Sequence, residues 1–118
     1  MPGVDVDRSI ASGQLTTAPG PGATVEAALA FWEEKLWAGI ETKAPLVRGV
    51  GEMALVRDQF ESEQEMLDFE AAVNMTFRRF PAAAICQYDV RIFSGRAVFA
   101  AMRAHPDMLD VSVGLLLK

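Results

Sequence analysis

The chain has 118 residues, of which 51% are hydrophobic, and its formal net charge is −5 at pH 7. This length and apolar content predict a single domain over residues 1–118 and exclude a wholly disordered protein. The absence of a basic run argues against contact with nucleic acid, and no apolar run approaches the roughly 20 residues of a membrane span. The one cysteine rules out an internal disulfide and, with no signal-peptide pattern after Met1, indicates a cytoplasmic location.

The first part of the chain predicts short elements before a loop. Residues 4–12 suit a short helix that ends at Gly13, and residues 14–18 suit a short strand. The Pro-Gly-Pro-Gly run at residues 19–22 breaks regular structure, so it must be a loop.

A long amphipathic helix is predicted over residues 25–42. Thr24 is a suitable N-cap for it. Trp37 falls off the apolar stripe of this helix, so it either packs on the flank of the core or contacts a partner. The stripe, at three-to-four spacing, consists of Val25, Leu29, Trp32, Leu36 and Ile40.

The middle of the chain predicts a strand over residues 46–50 and a helical turn over residues 53–57. Gly49 and Gly51 indicate either close backbone approach or an unusual turn at the end of this strand. A second helix then opens at a capping box, S-x-x-E, and runs to about residue 80.

The last part of the chain predicts a strand, a helix and another strand. Residues 82–88 carry no charge and suit a central strand covered on both faces. Ser94 caps a predicted helix that runs to about residue 104. Residues 111–117 are predicted to form the last strand. This alternation predicts an α/β fold, in which right-handed crossovers place helices on both faces of a parallel sheet. We therefore expect a three-layer α/β/α sandwich with a mainly parallel sheet of about four strands.

Carboxylates follow two of the predicted strands directly, Glu52 after the first and Asp89 after the second. Glu70 lies about forty degrees from the centre of its helical stripe, so it can approach from the side. Converging carboxylates suit acid–base chemistry or hydrogen bonds to a ligand. The alternative is local structure, in which Asp89 caps a turn, Glu52 pairs with an arginine and Glu70 is a boundary residue.

The predicted place for a ligand is the crevice at the carboxyl ends of these strands. Aromatic side chains there supply walls and Arg91 supplies a counter-charge, unless Arg91 simply neutralises Asp89 and the crevice is closed. The predicted ligand-binding residues are Glu52, Tyr88, Asp89, Arg91 and Phe93, with Glu70 as a secondary candidate.

Other chemistry finds little support in the sequence. There is no phosphate loop and no dinucleotide fingerprint, so we expect no cofactor and no nucleotide. Cys86 and His105, the only cysteine and histidine, stand 19 positions apart on different elements, which predicts no metal site. We expect Cys86 to be an inert core thiol, and His105 to be a helix-terminal residue whose charge suits the helix dipole.

The chain contains three segments, LVRGVGEM, MLDFEAAVN and AICQYDVRIFSG followed by HP, whose order and spacing resemble the MEDS domain. This is the methanogen/methylotroph sensory domain of prokaryotic signalling proteins, and the resemblance covers residues 10–108. Typical members have a further N-terminal strand–helix–strand section, so the resemblance implies a truncated or shortened chain. The matching positions are Gly51, Glu52, Glu70, Asn74, Cys86, Tyr88, Asp89, Phe93, His105 and Pro106.

The resemblance implies a remnant of a RecA-like fold that senses small hydrocarbon derivatives, and it adds Asn74 as a second secondary site candidate. We therefore expect a non-enzymatic domain that binds a small organic ligand and feeds a signalling output domain or protein in transcription regulation or signal transduction. One alternative is a protein-interaction or dimerisation module that uses Trp37 and an open sheet edge, and another is a small enzyme that uses Glu52 and Asp89. A chain without its first strands leaves surface uncovered, so we also expect a homo-oligomer.

Overall fold

The computed structural model describes residues 3–105 as an α/β fold with five helices and one small parallel sheet in that range. The α/β class and a parallel sheet are confirmed, whereas the alternation fails between the first two helices, where no strand forms. The strand predicted over residues 111–117 lies outside the described residues. The elements in chain order are α1 (Val6–Ala11), α2 (Val25–Glu41), β1 (Val47–Glu52), α3 (Met53–Gln59), α4 (Glu63–Phe77), β2 (Ala82–Gln87) and α5 (Gly95–Ala104).

Each of the five helices in the described residues begins at a polar residue whose side-chain oxygen accepts a backbone N–H from the first turn, with Glu52 in this role for α3. Thr24, Ser62 and Ser94, the caps that the sequence predicts, each accept such a bond at 3.1 Å. Asp5 caps α1 in the same way at 3.0 Å. Because each cap contributes about 1 kcal/mol and depends only on near neighbours, these helix starts are encoded locally.

The two strands run parallel, with Gly49 opposite Ala84 and Glu52 opposite Gln87. The chain between them forms α3 and α4, as a crossover between parallel strands requires. A Cβ atom at Gly49 would lie 3.0 Å from the ring of Trp32. The predicted close backbone approach at Gly49 is therefore confirmed, since only a glycine lets α2 pack so near the strand.

The core lies between one face of this sheet and the helices, with α4 in contact with α2, α3, α5 and β2. Trp37 packs edge-on against Phe80, with ring centroids 5.2 Å apart, and is half exposed, so it lies on the flank of the core. The main core cluster of buried residues consists of Ala28, Met53, Val56, Phe60, Met66, Phe69, Val73, Phe93 and Ala97.

The other face of the sheet is open to solvent within residues 3–105. Val50 and Ile85, which pair across the two strands, are 65% and 63% exposed. In this range the strand over Ala82–Gln87 is thus covered on one face, rather than on both as predicted. A run of residues without charge indicates that a strand tolerates burial. It does not specify which other elements pack on each face of that strand.

The strand predicted over residues 14–18 is wrong, because these residues form bends and irregular backbone. The backbone N–H of Leu15 turns back to the carbonyl of Ser9, which removes it from any sheet. A five-residue strand is stable only beside a partner, and the sheet of the described residues offers it none. The three-layer arrangement with four strands stays a prediction.

Candidate functional site

Glu70 is a carboxylate buried inside the domain. It lies on α4 among the apolar residues of the core, and it is 1% exposed. Removing a charged carboxylate from water is costly unless other groups donate hydrogen bonds to it or carry the opposite charge. The partners of Glu70 therefore define the most unusual site in the described part of the chain.

Three side chains from two other regions satisfy this carboxylate. The Tyr88 hydroxyl donates to Glu70 Oε2 at 3.0 Å, and the Cys86 thiol donates to Glu70 Oε1 at 3.6 Å. His105 Nε2 lies 3.1 Å from Glu70 Oε2. Cys86 belongs to β2 and Tyr88 follows it directly, whereas His105 is the C-cap of α5. We call Glu70, Cys86, Tyr88 and His105 the Glu70 cluster.

His105 has an acceptor at each ring nitrogen. Its Nδ1 lies 2.7 Å from the carbonyl oxygen of Ala101, and its Nε2 faces the carboxylate of Glu70. Only the protonated imidazolium donates at both positions. The hydrogen bond to Glu70 raises the pKa of His105, against the opposing effect of burial. Glu70 and His105 therefore form a contact that favours the protonated imidazole inside the domain.

The other two members of the cluster stay protonated at neutral pH. Burial raises the pKa of the Cys86 thiol, and the negative charge of Glu70 raises it further. The same two causes raise the pKa of the Tyr88 hydroxyl. A thiol in this state is a poor nucleophile, because the thiolate is the reactive form.

A second contact positions His105. The side-chain amide of Asn74, one turn after Glu70 on α4, donates a hydrogen bond to the carbonyl of Ala104 at the end of α5. This bond satisfies a carbonyl that the helix leaves without a partner at its C-terminus. It also holds the end of α5 against α4, which brings the imidazole of His105 to Glu70.

A cavity of about 190 Å³ lies beside the cluster. Its polar boundary comes from Asn74, Cys86 and His105, and the remainder of its lining is apolar. A smaller cavity of about 40 Å³ lies between the sheet and helices α2, α3 and α4, and also reaches Cys86 and Glu70. The residues around the larger cavity are Val73, Asn74, Phe77, Ala82, Ala84, Cys86 and His105.

The carboxylates predicted at the strand ends have local partners. Glu52 caps α3 by accepting the backbone N–H of Ala54 at 3.2 Å. Asp89 accepts two hydrogen bonds from the Arg91 guanidinium, at 2.8 and 3.0 Å, and one from the Arg91 backbone N–H at 2.9 Å. These bonds from Arg91 hold the pKa of Asp89 at about 2.

The aromatic residues predicted for the same site lie deeper. Phe93 is buried in the core, and its ring contacts the ring of Tyr88 with centroids 5.1 Å apart. The Arg57 guanidinium stacks over the Phe93 ring at 5.0 Å from its centroid. Of the five residues predicted for ligand binding, Tyr88 is the one whose polar atom reaches the Glu70 cluster.

Comparison with known proteins identifies the family. The profile of the methanogen/methylotroph, DcmR sensory domain matches residues 1–106. The chain belongs to the MEDS family. It is also 34% identical over 104 residues to the transcriptional repressor DcmR of Methylorubrum extorquens (strain DSM 6343 / CIP 106787 / DM4), covering 87% of this chain and 39% of that repressor. No solved structure matches the chain.

This MEDS chain is therefore a sensory domain, related to part of a transcriptional repressor and spanning about two fifths of its length. Within residues 3–105, no helix is both long and apolar enough to cross a membrane.

Sequence reasoning missed how two residues of this MEDS domain join the site. Cys86 and His105 were placed on separate elements, and that separation was the reason for predicting no metal site. In the structure, ligand atoms of Glu70, Cys86 and His105 lie within 4.8 Å of one another. The available signal was the family resemblance, because its matching positions include Glu70, Asn74, Cys86, Tyr88 and His105.

Proposed function

We propose that this domain is a non-enzymatic cytoplasmic sensor, which binds a small hydrocarbon derivative and passes the binding state to the output of a prokaryotic transcription-regulatory or signalling protein. The observation that carries the proposal is the cavity of about 190 Å³ that ends on Cys86 and His105. Membership of a sensory family and the likeness to a transcriptional repressor support a regulatory role. The protonated state of Cys86 argues against thiol catalysis.

The cavity suits a compact molecule with an apolar body and a polar atom. Val73, Phe77 and Ala84 offer an apolar wall, whereas Asn74 and His105 offer polar atoms at one side. Small-molecule sites combine such walls with a few polar groups, and drug-sized ligands occupy at least about 300 Å³. A cavity smaller than this favours a ligand with few heavy atoms.

Helix α5 is the element that would report ligand binding. Its C-terminal end is held by the bond from Asn74 to Ala104 and by the contact between His105 and Glu70. A molecule that competes for Asn74 or His105 would change the position of this end. A ligand shifts an equilibrium only through different affinities for the two states, so contacts with α5 provide the required difference.

The strand-end residues remain in the proposal as the outer part of the site. Glu52, Asp89 and Arg91 would form a polar rim. Tyr88 and Phe93 would connect this rim with the cavity, because their rings touch and the Tyr88 hydroxyl reaches Glu70. The RecA-like relationship, with a three-layer arrangement around about four strands, also belongs to the proposal.

Filling the cavity tests the proposal. Ala84 lines the cavity, whereas its neighbour Ala83 pairs with Arg48 on the exposed face of the sheet. We expect short-chain halides, alcohols or amines to move the backbone NMR signals of residues 84–86 and 104–105. Ala84→Leu should reduce the affinity of a responding compound at least tenfold, and Ala83→Leu should leave it unchanged.

The cavity proposal fails if none of these compounds moves the signals at millimolar concentration. It also fails if Ala83→Leu and Ala84→Leu change the affinity equally, because binding would then not depend on the cavity.

The open face of the sheet favours an interaction or dimerisation module as a second candidate function. Val50 and Ile85 are exposed there as an apolar pair, which a second copy of the chain would cover. We expect sedimentation equilibrium to detect a dimer, and Val50→Lys to weaken it at least tenfold. A monomer at high micromolar concentration would contradict self-association.

A further inference from the structure

The Glu70 cluster contains three different metal-ligand types. Glu70, Cys86 and His105 offer a carboxylate oxygen, a sulfur and an imidazole nitrogen, all within 4.8 Å of one another. They come from α4, from β2 and from the cap of α5, so three separate elements converge on one point. We propose that these three side chains bind a divalent cation of the zinc type and leave a fourth coordination position facing the cavity.

Two contacts within the Glu70 cluster have distances close to those between the atoms of a tetrahedral ligand pair, and all three ligand atoms lie within 4.8 Å of one another. Zinc bonds of about 2.0–2.3 Å place the atoms of a ligand pair about 3.3–3.8 Å apart. Cys86 Sγ lies 3.6 Å from Glu70 Oε1, and His105 Nε2 lies 3.1 Å from Glu70 Oε2. A cation therefore enters with ligand movements on the order of 1 Å, which side-chain rotations provide without a change of fold.

The net charge of the buried cluster stays the same when the cation enters. In the metal-free protein the 3.1 Å contact between His105 Nε2 and Glu70 Oε2 holds one proton, and the Cys86 thiol that donates to Glu70 Oε1 holds a second. The cation replaces the Nε2 proton of His105 and the thiol proton of Cys86, and both protons pass to solvent. The loaded site holds a carboxylate, a thiolate and a neutral imidazole around two positive charges, so no net charge is added to the interior.

Contacts outside the three ligands fix their orientation. The Nδ1–H of His105 donates to the Ala101 carbonyl at 2.7 Å, which leaves the Nε2 lone pair directed at the site. The Tyr88 hydroxyl donates to Glu70 Oε2 at 3.0 Å and holds the carboxylate. Hydrogen bonds of this kind orient the ligands of known metal sites and raise metal affinity by about 10- to 100-fold.

The ligand types select the ion. Sulfur and imidazole nitrogen suit Zn²⁺, Co²⁺ or Fe²⁺, whereas Mg²⁺ and Ca²⁺ prefer oxygen ligands. Three protein ligands with an open position differ from a closed structural site, which has four. Because Cys86 and His105 line the cavity, the fourth position faces it and is open to water or to a polar atom of a small molecule.

Cobalt titration tests the site directly. The metal-free full chain, without an added tag, is titrated with Co²⁺ and followed by absorption spectroscopy. Because Cys86 is the only cysteine, a sulfur-to-cobalt charge-transfer band reports on this site alone. We expect one equivalent of Co²⁺ to produce that band together with the visible bands of tetrahedral cobalt, and Zn²⁺ to displace it.

Variants of the three ligands identify the site. Cys86→Ser should remove the charge-transfer band, and His105→Gln and Glu70→Gln should each weaken Co²⁺ binding at least tenfold. Asp68→Asn is the matched control, because it removes an exposed carboxylate from α4, the helix that carries Glu70, and should leave binding unchanged. Circular dichroism verifies the fold of each variant, and Cys86→Ser, which changes one atom, decides the result if Glu70→Gln does not fold.

The absence of a charge-transfer band in the folded wild-type chain at millimolar Co²⁺ would overturn the proposal. A band that persists in Cys86→Ser, or an equal loss of binding in Asp68→Asn, would overturn it as well. The result is independent of the proposed sensing role, because the titration contains the metal ion alone. A chain that binds Co²⁺ but no organic molecule would support this site and contradict the sensor.

Discussion

The buried Glu70 cluster and the exposed pair of Asp89 and Arg91 contain the same kind of contact in opposite surroundings. The bonds between Asp89 and Arg91, at 2.8 and 3.0 Å, are no longer than the 3.1 Å contact between Glu70 and His105. The side chains of Glu70 and His105 are 1% and 20% exposed, whereas those of Asp89 and Arg91 are 26% and 83% exposed. Distance alone therefore does not reveal which pair matters, because water competes for the exposed pair and not for the buried one.

The two pairs also differ in how far apart their members lie in the chain. Asp89 and Arg91 are separated by one residue, so a turn forms their contact with little help from the rest of the molecule. Glu70 and His105 meet only when α4 and α5 pack together. Breaking the buried contact should thus disturb tertiary structure, whereas breaking the exposed one should disturb only the turn.

The largest expected effect is that of Glu70→Gln in the metal-free protein. This change removes the negative charge and leaves His105 without its carboxylate partner, so the free energy of unfolding should fall by about 3 kcal/mol. Urea unfolding followed by circular dichroism measures it. A loss below about 1 kcal/mol would contradict the view that the buried pair carries a large share of stability.

An intermediate effect is expected from pH. The pKa of His105 is raised in the folded protein, so its contribution to stability is fully present below the ordinary pKa of about 6.5. This contribution is lost as the pH rises through the folded-state pKa, because the uncharged ring donates to only one of its two acceptors. The groups that face the ring are Glu70, the Tyr88 hydroxyl, the Cys86 thiol and the Ala101 carbonyl.

Unfolding midpoints in urea, measured in metal-free protein from about pH 6 to about pH 9, test this expectation. The wild-type midpoint should decline across the range, and His105→Gln should remove most of the slope. A wild-type midpoint that rises with pH would mean that stability increases as His105 loses its proton, and this would contradict the ion pair.

The smallest expected effect is that of Asp89→Asn. The pKa of Asp89 is lowered to about 2, so its contribution is present above the ordinary value of about 3.8 and is lost only as the pH falls through 2. Solvent screening keeps that contribution small at an exposed pair. At neutral pH the unfolding midpoint should not change measurably, and a shift as large as that of Glu70→Gln would remove the contrast between the two regions.

Much of the fold was predictable because its signals are local. Thr24, Ser62 and Ser94 cap helices through bonds to residues three positions later, and each cap lies where the sequence places it. The parallel strand pair follows from the alternation of helices and strands. The prediction of a strand at residues 14–18 is wrong because a strand depends on a partner that is distant in the chain. A short apolar segment does not specify that partner.

Local signals in the sequence place the helix starts at Thr24, Ser62 and Ser94, and they offer the pair of Asp89 and Arg91 as one of two alternatives. All of these depend on neighbours within a few residues. Only the tertiary structure decided that Glu70, at the edge of its stripe, is buried and that Cys86, Tyr88 and His105 surround it. The physical reason is that a carboxylate tolerates burial only if donors reach it, and these donors come from the end of β2 and the C-cap of α5, which are far from Glu70 in the chain.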